Sequence, residues 1–400
     1  MSLLNQQDIS KKTAFKFVIL LSLVSLFADM TYEGARSITG PYLAILGANA
    51  AVVGFVAGFG EFLGYAFRLV SGYIADRTGK YWTITILGYI CNLLAVPLLA
   101  LAGDWWIAAI LIILERTGKA IRVPPRDAML SHAGSQMGMG WVFGLHEAID
   151  QIGAMLGPLI VAFVLYIKGG YRESFAVLLV PAFIALTILI FARWLYPKPQ
   201  ALAVQQDNLE MKGMNTSFWL YLVGASLIAA GYADFPLIAY HFQKTALLSP
   251  IFIPVSYAIA MGINSLSAPL FGHIYDRKGF VILMIVTIVS SLFAPLVFLG
   301  GATAAFIGVA LWSIGVSAHE SLMRAIVANM VPIEKRSSAY GVFNTGYGIC
   351  WFLGSFLMGV LYDISIFSLV IFSIFIQLLA VPVLWIVMNK INHKLQSYKT

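Results

Sequence analysis

The sequence predicts an all-α membrane protein of twelve transmembrane helices, organised as two related six-helix bundles, and three observations lead there. Charged residues make up only 11% of the 400-residue chain, while apolar and aromatic residues reach 60%. An average soluble protein carries roughly 25% charged residues, so a water-facing surface cannot be assembled from this composition. Apolar runs long enough for a bilayer, which needs ~20 residues per helix, follow one another along the chain. Lysines and arginines gather on alternate connections between those runs. The mean hydropathy of +0.86 agrees.

Each segment can be read in order. In the first half the apolar runs are 15–40, 52–74, 82–101, 105–123, 138–166 and 175–195; in the second they are 218–240, 252–274, 281–299, 304–331, 339–362 and 366–388. The first run continues through Asp29 and Glu33 without a small-residue cleavage site, so it reads as a span rather than a cleavable signal peptide. Trp105-Trp106 and Tyr81-Trp82 sit at segment ends, where amphipathic rings favour the membrane interface. Between the halves, 197–216 holds Pro197, Pro199, Asp207, Glu210 and Lys212; it reads as a linker joining bundles 1–196 and 217–400.

The net charge of +7 is spread in small basic groups along the loops, which excludes a nucleic-acid surface. Lys11, Lys12, Arg77, Lys80, Arg126, Arg193, Lys198, Lys212, Arg277, Lys278, Lys335, Arg336, Lys390, Lys394 and Lys399 fall on one side, against Lys168, Arg172 and Lys244 on the other. The positive-inside rule then places both termini in the cytoplasm, which requires an even number of spans. Cys91 and Cys350 stand far apart in apolar runs, with neither metal-ligand spacing nor a disulfide framework. Neither a metal nor a cofactor is expected, no phosphate-binding Gly-x-x-x-x-Gly-Lys loop is present, and no nucleophile–base pairing points to an enzyme.

The halves repeat each other. Gly72-Tyr-Ile-Ala-Asp76-Arg77-Thr-Gly79 returns as Gly272-His-Ile-Tyr-Asp276-Arg277-Lys-Gly279, Ala28-Asp29 as Ala233-Asp234, and Glu115-x-x-x-Lys119-Ala-Ile as Glu320-x-x-x-Arg324-Ala-Ile. Three matches in order at nearly constant offset point to duplication, and parallel six-helix repeats are a transporter architecture. The first of these motifs, Gly72-x-x-x-Asp76-Arg77-x-Gly79-Lys80, resembles the signature between the second and third helices of the major facilitator superfamily, with Tyr81 where a second basic residue is usual. Gly153-Ala-Met-Leu-Gly157-Pro158 resembles the glycine–proline motif of its antiporter branch. In the fourth helix, Arg116 is followed by Gly118 rather than by a glycine four residues on. The resemblance covers essentially the whole chain. It implies a central cavity lined by the first, fourth, seventh and tenth helices, with the bundles rocking in alternating access.

The residues themselves place charge inside the membrane. An ionisable group at bilayer depth costs ~2.5–3.5 kcal/mol on insertion scales, so each needs a partner, a wet cavity or a task. Asp29, Glu33 and Arg36 share one helical face, as do Glu61, Tyr65 and Arg68, and as do Glu115, Lys119, Arg122 and Arg126. Such stripes face a bundle interior. Glu115–Lys119 and Glu320–Arg324 have the acid-before-base order of intrahelical ion pairs, and that alone can account for them. Arg116 and Arg122 then need acids from elsewhere, with Asp29 and Glu33 the candidates. Asp29, Glu33, Asp234 and Glu115 are the candidate coupling carboxylates, since a desolvated carboxylate beside a movable cation can take up and release a proton. The alternative is an aspartate that only packs helices together. Arg36, Glu61, Arg116, Lys119, His146, Glu147, Asp150, Glu320 and Arg324 are the candidate cavity residues.

The repeated loops, Gly72, Asp76, Arg77 and Gly79 with Gly272, Asp276 and Arg277, are expected to act as gates by the resemblance, and to hold topology by their charge. Together these expectations describe a proton-coupled secondary active transporter of a small polar or charged organic solute in the cytoplasmic membrane. Multidrug efflux is the alternative, and a non-transporting sensor or scaffold is a reading from another class. A monomer suffices, because the repeat already supplies both bundles.

Overall fold

The computed structural model describes residues 3–197, 216–330 and 336–397. The linker expected at 197–216 therefore lies almost wholly outside the described residues, as do the side chains of Gly272, Asp276, Glu320 and Arg324. Among the described residues there is no strand, and every predicted span is helical.

In the first half the helices are α1 (Leu3–Ile45), α2 (Ala50–Thr78), α3 (Tyr81–Leu98), α4 (Trp105–Met137), α5 (Met139–Tyr166), α6 (Tyr171–Val177) and α7 (Leu179–Leu195). In the second they are α8 (Thr216–Gly231), α9 (Phe235–Lys244), α10 (Phe252–Lys278), α11 (Phe280–Ser290), α12 (Phe293–Phe298), α13 (Ala302–Met330), α14 (Arg336–Ile364) and α15 (Ile366–Ser397).

Three predicted spans are each built from two consecutive helices: α6 with α7, α8 with α9, and α11 with α12. The cause is local. Pro181, Pro236 and Pro295 have no N–H to give the carbonyls of Val177, Tyr232 and Ser291, and each break falls at that carbonyl. Proline permits the break without forcing it, for Pro97, Pro158, Pro269 and Pro382 lie inside continuous helices.

Among the described residues, eleven helical stretches are long and apolar enough to cross a membrane. The predicted fourth span lies in α4, which is long enough but carries Glu115, Arg116, Lys119 and Arg122 in its first 18 residues. Its shortfall in hydropathy is thus the same charge stripe that marks it as a site.

The chain divides into two compact units, 1–38 with 63–207 and 39–62 with 208–400. The first unit has a core of Phe17, Leu21, Val24, Tyr89, Leu93, Met129, Val142 and Leu189, from α1, α3, α4, α5 and α7. Its helices approach closely where side chains are small. A Cβ on Gly88 would lie 2.7 Å from the Arg122 backbone nitrogen, and one on Gly157 would lie 2.8 Å from the nitrogen of Gly34. In the second unit the 39–62 segment packs onto α14. Phe55, Phe59 and Phe62 meet Phe352 with ring centroids 5.6, 5.6 and 6.3 Å apart.

The repeated loops share one backbone device. α2 and α10 each end at a glycine with positive φ, 65° at Gly79 and 61° at Gly279. Each glycine N–H bonds the carbonyl four residues back, at 2.8 Å in both cases. Only glycine enters that region without a Cβ penalty, which explains the fixed last position of both motifs.

Candidate functional site

The first unit contains a buried ionic network on α1, α3, α4 and α5. It arises because acids at positions 29 and 33 and bases at 119, 122 and 126 recur at helical spacing and are turned towards each other. Arg122, 1% exposed, lies with one Nη 3.7 Å from Asp29 Oδ1 and its guanidinium 4.3 Å above the ring of Tyr89. Tyr32 Oη donates to the other Asp29 oxygen at 2.8 Å. Lys119 Nζ sits 3.8 Å from Glu33 Oε1 and 3.8 Å from the centre of the Tyr32 ring. Cation–π contacts of this kind strengthen when water is excluded.

Glu115 does not pair with Lys119 along its own helix, as the acid-before-base order suggested. Asn92 Nδ2 of α3 donates to Glu115 Oε1 at 2.8 Å, and Arg116 Nε lies 3.4 Å from Glu115 Oε2. Lys119 instead turns to α1, because the acids there are within reach and the α3 amide has already engaged Glu115. Arg126 is held by Asp127, at 2.8 Å, and donates to Ser25 Oγ at 3.0 Å. His146 of α5 is buried and its Nδ1 hydrogen-bonds Ser22 Oγ at 3.1 Å.

The charges in this network are matched, but its hydrogen bonds are not. Asp29 Oδ1, Arg122 Nε and Nη1, His146 Nε2 and Asp150 Oδ1 are buried without a hydrogen-bond partner among the described residues. Each such group carries a desolvation cost of about 1–3 kcal/mol. A network organised only for stability would close those bonds. A network that receives a solute, water or a proton leaves them available.

The second unit treats its aspartate differently. Asp234 stands at the break between α8 and α9, 1% exposed, with extended backbone angles. Its carboxylate does not cap its own helix: Trp351 Nε1 and Ser355 Oγ of α14 donate to Oδ2 at 2.9 and 2.8 Å. The carbonyls exposed by the break are also met. Trp312 Nε1 donates to Ala233 O at 2.9 Å, and Ser373 Oγ and Gln377 Nε2 donate to Gly231 O at 2.7 and 3.0 Å. Aromatic rings gather beside the break: Tyr232 stacks on Phe293 at 5.3 Å and on Trp351 at 6.3 Å, and Tyr347 lies tilted against Trp351 at 5.7 Å. A third carboxylate, Asp363 at the end of α14, accepts from the first amides of α2, Ala50 at 3.2 Å and Ala51 at 2.9 Å, as a helix cap does.

The structure gathers buried Asp29, Glu33, Glu115, Arg116 and His146 with half-buried Lys119 into one cluster, with Asp150 nearby on α5. Arg36 is half-buried one turn beyond Glu33, Glu61 is half-buried on α2, and Glu147 is exposed and accepts from Gln151 Nε2 at 3.1 Å. Asp76 and Arg77 are exposed; Tyr81 Oη donates to Asp76 at 3.0 Å, and Arg77 donates to Tyr73 Oη at 3.1 Å. Arg277 is exposed as well. Of the second repeat, the side chains of Glu320, Arg324, Gly272 and Asp276 fall outside the described residues.

Sequence reasoning missed Tyr32, Asn92, Ser355, Ser373 and Gln377. A signal existed for two of them: Asn92 and Gln377 are lone amides in apolar runs, and a buried amide requires partners.

The model of the Major Facilitator Superfamily matches residues 21–355. An uncharacterized protein of Mycobacterium tuberculosis is 41% identical, with 93% of each chain covered. An uncharacterized MFS-type transporter of Methanocaldococcus jannaschii is 27% identical over 90% of this chain and 91% of its own. Among solved structures, a POT family transporter in complex with a thioalcohol-conjugated peptide superposes with a TM-score of 0.75, covering 93% of this chain and 95% of that one. At 12% identity that likeness concerns the fold alone.

Proposed function

The chain belongs to the Major Facilitator Superfamily, and from that premise we propose that it is a proton-coupled secondary active transporter. Its cargo is a small polar or charged organic solute, moved across the cytoplasmic membrane by alternating access of bundles 1–196 and 217–400. Both termini lie in the cytoplasm and one chain is the working unit.

One observation carries the reading: the Asp29–Arg122 contact of 3.7 Å, buried, charge-matched and not closed by a hydrogen bond. A proton arriving on Asp29 removes the attraction that holds Arg122, and the guanidinium becomes available to an anionic group of the solute. Guanidinium forks suit carboxylates because two parallel N–H bonds form at once. Lys119, balanced between Glu33 and the Tyr32 ring, is the second cation of that subsite. Protonation of Asp29 and solute binding at Arg122 then favour each other through one network, which is the requirement for coupling.

The test is transport in proteoliposomes under an imposed pH gradient, with organic acids, zwitterionic amino acids and lipophilic cations as candidate solutes. The expected result is gradient-driven movement of an acidic or zwitterionic solute, lost in Asp29→Asn while solute exchange without a gradient persists. Wild-type gradient-driven transport by Asp29→Asn would overturn the coupling role. A second reading is favoured by Asp234 amid its aromatic rings, an arrangement that suits an organic cation. In that case several unrelated lipophilic cations are transported, and Asp234→Asn abolishes their movement.

A further inference from the structure

A separate feature of the first unit lies away from the ionic network. A cleft of about 620 Å³ opens where α3 begins and α7 ends. Lys80 and Arg193 both line it, and among the described residues no acidic one does. Neither cation has an ion-pair partner among the described residues; the acid nearest to Lys80 in sequence, Asp76, accepts from Tyr81 Oη at 3.0 Å. Two cations that share one cleft repel each other, and the transport reading leaves Arg193 without a task.

The cleft is also held in shape. Trp82, 7% exposed, forms part of its wall and donates Nε1 to the Tyr196 carbonyl at 2.8 Å, tying the start of α3 to the residue that follows α7. Below the cations the lining becomes apolar and open. Ile190 and Trp194, one turn apart on α7, are 61% and 75% exposed. They continue a strip on the same helical face through Thr187 to Phe183, which is 69% exposed. Thr187 does not interrupt its apolar character, since its hydroxyl is returned to the Phe183 carbonyl at 2.8 Å.

The strip from Trp194 to Phe183 rises 1.5 Å per residue, so it is roughly 16 Å long, about half of a 30 Å hydrocarbon core. That is the depth of one leaflet. A pair of cations at one end and a single-leaflet apolar track at the other match a phospholipid more closely than any soluble anion, which has no use for Ile190 and Trp194.

We propose that this cleft binds an anionic glycerophospholipid, its phosphate between Lys80 and Arg193 and an acyl chain along Trp194, Ile190 and Phe183. On the orientation given by the basic loops, the lipid comes from the cytoplasmic leaflet. Basic side chains near an anionic bilayer each contribute about fivefold in affinity, so the pair supplies about 25-fold over a zwitterionic lipid. Trp194 serves as the interfacial anchor, with its ring at headgroup depth.

The experiment is native mass spectrometry and thermal unfolding of the full-length protein in detergent. Dioleoyl phosphatidylglycerol, dioleoyl phosphatidylcholine, inorganic phosphate and glycerol 3-phosphate are each titrated in. Phosphatidylglycerol is expected to remain bound and raise Tm well above the phosphatidylcholine value. Arg193→Gln and Lys80→Gln each lower its affinity about fivefold, Arg193→Lys restores most of it, and Trp194→Ala weakens both lipids. Lys168→Gln, a cation on the opposite end of the same half, leaves the preference unchanged. Equal retention of the two lipids, or an undiminished preference in the Lys80→Gln/Arg193→Gln double variant, overturns the proposal. Equal stabilisation by glycerol 3-phosphate or inorganic phosphate overturns the lipid assignment and makes the cleft a soluble-anion site.

Discussion

Asp29 and Asp234 each follow an alanine at matching places in the two halves of the sequence, and the protein surrounds them by opposite means. Asp29 stands inside the unbroken helix α1 and faces charge: Arg122 at 3.7 Å, with Lys119 and Glu33 one turn away. Asp234 stands at a helix break and faces neutral donors, an indole and a hydroxyl at normal hydrogen-bond length. The first arrangement is ionic and loosely bonded. The second accepts hydrogen bonds from an indole and a hydroxyl, and the bonding extends to the carbonyls released by the break. Two matching positions of the sequence thus sit in different surroundings, one among ion pairs inside a helix and one hydrogen-bonded at a helix break. Ion pairs depend on the charge of both members, whereas an indole N–H bonds a carboxylate or an amide oxygen alike, and substitutions can exploit that.

The largest effect is expected from Arg122→Met, which leaves Asp29 buried without its cation. Removing one member of a buried pair costs about 3–5 kcal/mol, read as a drop in Tm of the detergent-purified protein. Adding Asp29→Asn to the same chain should recover most of that loss. An unaltered Tm in the double variant relative to Arg122→Met alone would break the comparison on the ionic side.

At Asp234 the side chain matters as an acceptor. Asp234→Ala strands Trp351 Nε1 and Ser355 Oγ, and unmet buried donors cost about 1–3 kcal/mol each. Asp234→Asn keeps one oxygen in place and should cost less than half as much. Equal losses for the two substitutions would show that the negative charge itself is required there, and would bring Asp234 closer in kind to Asp29.

Asp363→Asn should have the smallest effect. It retains one acceptor for the Ala50 and Ala51 amides, and weakening a helix cap costs about 0.5–2 kcal/mol. The same substitution also removes the charge that Lys244 approaches at 3.9 Å, a half-exposed contact worth little. A loss as large as that of Arg122→Met would place Asp363 at the centre of the second unit's stability.

Much of this was readable beforehand, and particular residues show how far. The charge stripes on α1 and α4 were visible as spacings of three and four, because a helix repeats every 3.6 residues whatever surrounds it. The need of Arg122 for an acid on α1 followed from the cost of an unpaired charge in hydrocarbon. The partner of Glu115 did not follow. Lys119 and Asn92 are both within one side chain's reach, and only the close approach of α3 to α4 at Gly88 and Gly118 decides for Asn92. The three split helices show the same limit, since Pro236 breaks its helix and Pro158 does not.

The sequence by itself determined the class of fold, the number and place of the apolar segments, the duplication, and which helices bear charge inside a membrane. These are set by composition and by local periodicity, which act over a turn or two of chain. The tertiary structure alone decided which acid meets which base, that the second aspartate is met by Trp351 and Ser355, and that Lys80 and Arg193 share one cleft. Those pairings join residues as many as 121 positions apart, and which of several chemically adequate partners is chosen depends on helix separation and rotation, quantities that no short window of sequence contains.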